Sequence, residues 1–200
     1  MKALLLIDVQ NDFMPGGALA VPDGDKIVPI INKIQHQFDL VLATQDWHPE
    51  GHASFASTHH KNLYEVIDLN GIDQVMWPDH CVQGSRGADF HPKLKLNKIE
   101  AIFRKGTDSE IDSYSGFYDN AHLKSTGLSG YLKEKGVTEL YFAGLAGDFC
   151  VAFSVKDALA EGFAAFLIDD ATRAIDAAGF EKAKAEIVEK GGKILYADEV

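Results

Sequence analysis

Asp8, Asp46, Lys105 and Cys150 each stand where a short apolar run gives out. A thiol, an ammonium and carboxylates gathered in one place supply a nucleophile, its proton acceptor and a countercharge. Cys150 opens a helical stretch, where unpaired N–H groups and the helix dipole favour a thiolate, and a neighbouring Lys105 ammonium lowers the thiol pKa further. Asp8 can take the thiol proton and return it to a departing amine, acting first as general base and then as general acid. Singly, each residue has an ordinary reading, since an Asp after a strand usually caps a turn and a lone helix Cys usually packs. Their joint placement points to nucleophilic hydrolysis.

A second constellation is Asp46-Trp47-His48-Pro49-Glu50-Gly51-His52, with His80 further on in Trp77-Pro78-Asp79-His80-Cys81. Three imidazoles and a carboxylate suit Zn2+, Fe2+ or Mn2+ better than Ca2+ or Mg2+, which prefer oxygen shells. The bland reading makes His48 and His52 surface loop residues, as His36, His59, His60, His91 and His122 are expected to be. Phe13, Trp47, Phe55, Trp77, Tyr114 and Phe117 occupy the same loops, where some can sandwich a flat ring.

The elements that must position these groups alternate. Strands are predicted at Ala3 to Val9, Leu40 to Thr44, Ile99 to Arg104, Leu140 to Gly144, Ala164 to Ile168 and Lys193 to Tyr196. Helices are predicted at Asp25 to Phe38, Leu128 to Lys135, Cys150 to Glu161 and Phe180 to Glu189. Residues 46–98 show no sustained period and read as a functional loop region. The pattern predicts a single α/β domain over 1–200, a three-layer α/β/α sandwich with a six-stranded, mostly parallel, doubly wound sheet. With the order 3-2-1-4-5-6, Asp8 and Cys150 meet at the switch point beyond the carboxyl ends of the strands.

The 200 residues carry 46% hydrophobic and 24% charged content, the make-up of one globular domain, and a formal net charge of -11. That charge argues against nucleic acid and anionic membranes as partners, leaving a small-molecule substrate. No leader or membrane-spanning run is evident, so a cytoplasmic protein is expected. With only Cys81 and Cys150 present, a disulfide framework is not expected. Monomer and homo-oligomer both stay open.

The motifs IDVQNDF (7–13), QDWHPEGHASF (45–55), WPDHCVQGSRGADFHP (77–92), FRKG (103–106) and GLAGDFC (144–150) together resemble the bacterial nicotinamidase/pyrazinamidase family of isochorismatase-like cysteine hydrolases. The resemblance implies an amidohydrolase that converts nicotinamide to nicotinate and ammonia in NAD salvage through a cysteine thioester, with pyrazinamide as a second substrate. It implies Asp8, Lys105 and Cys150 as the triad, and Asp46, His48, His52 and His80 as ligands of one divalent ion, zinc first and iron or manganese next, that binds the pyridine nitrogen. It further implies Phe13, Trp77, Tyr114 and Leu145 at the substrate, a cis peptide between Leu145 and Ala146, and an oxyanion hole from the Ala146 and Cys150 N–H groups. Gly147 departs from the family, where Thr is common, and residues 58–76 match none of its motifs. The rival expectations are a relative acting on another small amide and a non-catalytic metal- or nicotinate-binding protein.

Overall fold

The computed structural model describes residues 1–200. Its elements run β1 (Lys2–Ile7), α1 (Ile27–Ile34), β2 (Leu40–Asp46), α2 (Ala56–His59), β3 (Val66–Leu69), β4 (Ile72–Val75), β5 (Ile99–Lys105), α3 (Leu128–Glu134), β6 (Glu139–Gly144), α4 (Ala152–Ala160), β7 (Ala164–Thr172), α5 (Ala177–Glu189) and β8 (Lys193–Leu195). Six strands form one sheet in the order β5-β2-β1-β6-β7-β8, with every neighbouring pair parallel. Numbered among themselves these strands give the expected 3-2-1-4-5-6 order, and β1 and β6 flank the switch point.

β1 shows why these strands read as unbroken apolar runs. Leu4 and Leu6 pack on the side of α1, whereas Ala3, Leu5 and Ile7 pack on the side of α3, α4 and α5, so both faces are buried. In α1, Ile27, Val28, Ile31 and Ile34 recur at helical spacing and form its buried stripe. Each such side chain contributes roughly 1.5–3 kcal/mol on burial. The site therefore stands on a stiff, well-packed frame.

The element ends differ from expectation where the chemistry sits. β1 stops at Ile7, and Asp8 leaves it with φ 48°, a left-handed conformation that Asp tolerates better than most residues. β2 and β5 run on to Asp46 and Lys105, which become direct register partners. Cys150 does not open an α-helix. It lies in a π-helical turn, Gly147–Val151, in which the Val151 N–H donates to the Ala146 carbonyl, and α4 starts only at Ala152.

Other boundaries moved for local reasons. α1 covers only Ile27–Ile34 within the expected 25–38. α5 begins early because Asp176 caps it, accepting the Gly179 N–H at 2.7 Å. The stretch expected to lack period holds α2 and an antiparallel hairpin, β3–β4, whose strands are largely open to solvent and so show no clean apolar face.

Candidate active site

Lys105 is the hub. Its Nζ lies 2.9 Å from Asp8 Oδ2 and 3.0 Å from Asp46 Oδ1, donates to the Ser113 carbonyl at 2.9 Å and stands 3.6 Å from Cys150 Sγ. The ammonium is 2% exposed and Asp8 fully buried. Burial alone would lower the Lys105 pKa, but Asp46, Asp8 and the thiol raise it well above its ordinary value, so it stays charged. Asp8 is secured from its other oxygen, since the Thr44 hydroxyl donates to Oδ1 at 2.6 Å and Thr44 Oγ1 accepts the Asp8 N–H at 3.2 Å. Oδ2 faces the ammonium but accepts no directed hydrogen bond. It is thus free to receive a proton. Burial outweighs Lys105 and raises the Asp8 pKa.

The thiol corrects the expectation of a preformed thiolate. Burial raises the Cys150 pKa well above normal, and although Lys105 pulls it down, Asp8, Asp46 and Asp112 push the same way as burial. That direction favours a thiol that passes its proton on as it attacks.

Asp46, His48 and His80 converge, with one ligand atom of each lying within 4.8 Å of the others. His48 Nδ1 donates to the Gly106 carbonyl at 3.0 Å and His80 Nδ1 to the Pro78 carbonyl at 2.7 Å. Those bonds leave both Nε2 lone pairs beside Asp46 Oδ2, at 3.0 and 3.3 Å. Lone pairs facing a buried carboxylate repel it unless a cation lies between them, and backbone-anchored imidazoles of this kind are the usual support of a metal ligand. Burial would lower the His48 pKa, yet Asp46 raises it, so this corner of the site favours positive charge. The donor set fits a divalent transition ion.

His52 stands beside this cluster rather than within it. Its ring centroid is 4.3 Å from that of His48, Nδ1 lies 2.8 Å from Ser54 Oγ, and Nε2 is buried without a partner. The surface-loop reading of His48 and His52 does not survive, because both are buried, as is His80.

The cleft beside the sulfur is lined by Phe13, Trp77, Tyr114 and Phe149, with Ala146, Asp46, His80 and Lys105 completing much of the wall. Trp77 and Tyr114 each meet the Phe149 ring edge to face, at 4.9 and 5.5 Å between centroids. The Leu145–Ala146 peptide is cis. Leu145 itself is buried in the core, whereas Ala146 lines the cleft and its N–H donates to no group of the chain. Of the other aromatic candidates, Trp47 lies under Arg104 at 3.9 Å, Phe55 packs on the histidines and Phe117 packs near Phe163. At Gly147 a β-carbon would meet the Phe180 ring at 2.7 Å, so that ring takes the room a side chain would need.

Leu19, Asp112, Ser113, Phe149 and Ile175 also line the cleft and had not been singled out. Phe149 was findable as the neighbour of the nucleophile in GDFC, and Asp112 and Ser113 as the residues before Tyr114. Leu19 and Ile175 carried no signal, being apolar residues in loops.

Comparison with known proteins agrees with this geometry. Residues 2–199 match the isochorismatase domain family. A nicotinamidase of Acinetobacter baylyi is 49% identical over 178 residues, 88% of this chain and 83% of that protein. The solved nicotinamidase/pyrazinamidase of Acinetobacter baumannii superposes with a TM-score of 0.96 at 44% identity, covering 99% of this chain and 97% of that one. A pyrazinamidase of Pyrococcus horikoshii in complex with zinc superposes at 0.81 with 37% identity and 98% of each chain covered.

Proposed function

The chain belongs to the isochorismatase domain family, and on that premise we propose that it is an amidohydrolase converting nicotinamide to nicotinate and ammonia. The observation that carries the chemistry is the Lys105 ammonium in contact with Asp8, Asp46 and the Cys150 sulfur at once. The aromatic walls of Phe13, Trp77, Tyr114 and Phe149 suit a flat heteroaromatic ring. Pyrazinamide offers the same ring shape and carboxamide and is the second substrate of this reading.

In the proposed reaction the Cys150 thiol passes its proton to Asp8 Oδ2 as sulfur bonds to the carboxamide carbon. The negative charge that gathers on the amide oxygen is met by the Ala146 and Cys150 N–H groups. Asp8 returns the proton to the leaving nitrogen, the C–N bond breaks and ammonia departs, leaving a nicotinoyl thioester. Water, deprotonated by Asp8, then attacks the thioester carbon, and the thiol is regenerated with nicotinate. Lys105 holds Asp8 in place throughout and balances the charge on sulfur.

Asp46, His48 and His80, with His52 beside them, would hold one divalent ion, for which zinc is the first choice. Such an ion supplies a Lewis-acid contact that orients the ring nitrogen. A cytoplasmic location is part of the same reading; no helix is long and apolar enough to cross a membrane. The test is ammonia release by the purified, metal-quantified protein from nicotinamide and from benzamide, which lacks the ring nitrogen. Release from nicotinamide well above benzamide supports the reading. No release from metal-replete protein overturns it and leaves a binding role.

A further inference from the structure

Gln74 is the only buried residue in the two strands of hairpin β3–β4, 2% exposed beside the exposed Asp73. Its Nε2 carries two hydrogens that three acceptors share, the Val75 carbonyl at 2.8 Å, Asp112 Oδ2 at 3.2 Å and Tyr114 Oη at 3.1 Å. A carbonyl and a carboxylate can only accept, so the amide is oriented without ambiguity. Trp77 Nε1 donates to the same phenol oxygen at 3.1 Å. Both donors reach the phenol oxygen as an acceptor, and the Tyr114 hydroxyl itself donates to no group of the chain. Tyr114 lines the cleft with Phe13, Trp77 and Cys150.

We propose that Gln74 is a positioning residue for substrate binding: with Trp77 it turns the Tyr114 hydroxyl so that its O–H is offered to an acceptor atom of the molecule in the cleft. The chemical class of that molecule, a pyridine carboxamide, rests on the function proposed above. The hairpin that matched no motif thus reaches into the pocket through one side chain. The same amide ties Tyr114 to Asp112, whose Oδ1 lies 3.9 Å from His48 Nε2, so the ring wall and the histidine cluster are held in one register.

The test is a double-mutant cycle of Gln74→Leu and Tyr114→Phe, with kcat and KM for nicotinamide, metal content and melting temperature measured for each protein. Either single change is expected to raise KM about tenfold, the loss of one neutral hydrogen bond, with kcat changed less than about twofold. The double variant should bind no worse than Tyr114→Phe alone, because Gln74 acts through Tyr114. Additive losses, or an effect on kcat with KM untouched, overturn the assignment. Should Gln74→Leu fold poorly, Tyr114→Phe still decides, since an unchanged KM in that variant removes the hydroxyl from recognition. If the wild type releases ammonia from nicotinamide while the variants keep its KM, only this inference fails; if the wild type releases none, the proposed function fails and takes the inference with it.

Discussion

The Lys105 ammonium lies 3.6 Å from the Cys150 sulfur, joining the last residue of β5 to a thiol 45 positions further along the chain. The same nitrogen faces Asp8 and Asp46. One cation thereby serves the nucleophile, its base and a residue of the histidine cluster.

Removing that cation should damage the fold as well as the chemistry. Lys105→Met leaves two buried carboxylates without their countercharge, at an expected cost of roughly 3–5 kcal/mol. Urea denaturation of the two proteins measures it. A loss under about 1 kcal/mol would mean that water or a proton replaces the ammonium readily.

The nucleophile can be separated from the pocket. Cys150→Ala should cut ammonia release by at least ~10,000-fold. Nicotinate binding by calorimetry should stay within a few-fold of wild type. Steady turnover by the variant would remove the covalent route.

Metal retention should depend on glycine at 106. Gly106 has φ +63°, and a β-carbon there would sit 2.4 Å from His48 Cε1 and 3.0 Å from Asp46 Oδ1. Gly106→Ala is expected to displace His48 and weaken zinc affinity at least ~10-fold, the range seen even for outer-shell partners of a metal site. Competition with a chromogenic chelator gives the value. His52→Ala run in parallel decides whether that imidazole is a ligand, since unchanged zinc affinity would exclude it.

Acid stability should carry the mark of Glu161. Lys133, Ser129 and Tyr118 donate to this carboxylate and push its pKa down to about 2, from an ordinary 4.5. A depressed native pKa means that the unfolded chain binds more protons in that interval. The stabilisation is therefore complete above about pH 4.5 and fades as the pH falls toward 2. Glu161→Gln should be less stable than wild type at pH 6 and should lose less of its stability on acidification. Melting curves from pH 6 to pH 2 with equal slopes for both proteins would contradict this.

The sheet and its order were legible because strands buried on both faces, such as Leu40–Ala43, read as unbroken apolar runs, and the rule for the switch point then places their ends. Asp8, Asp46, Lys105 and Cys150 came out together for that reason. The state of the thiol was not legible: the chain shows a nearby Lys and a helical stretch, but not the burial of Cys150 or the three carboxylates, Asp8, Asp46 and Asp112, whose charges act on it. Gln74 was equally hidden, because nothing local marks a Gln in a solvent-exposed hairpin as buried against Asp112 and Tyr114. Leu145 was placed at the substrate on resemblance, whereas the backbone turns it into the core and leaves Ala146 at the cleft.

The pairing of β1 with β6 sets Leu4 beside Tyr141 and Ile7 beside Gly144, contacts between the first residues of the chain and a strand far along it. Asp8 and Cys150 flank that seam, so the reactive groups come together only after the longest loop in the sheet has closed. Loop closure must be completed before such contacts repay it, which makes distant parallel pairing a slow event in folding. Activity regained during refolding should therefore trail the recovery of helical signal, and a nascent chain still short of β6 holds Asp8, Asp46 and Lys105 without the Cys150 thiol.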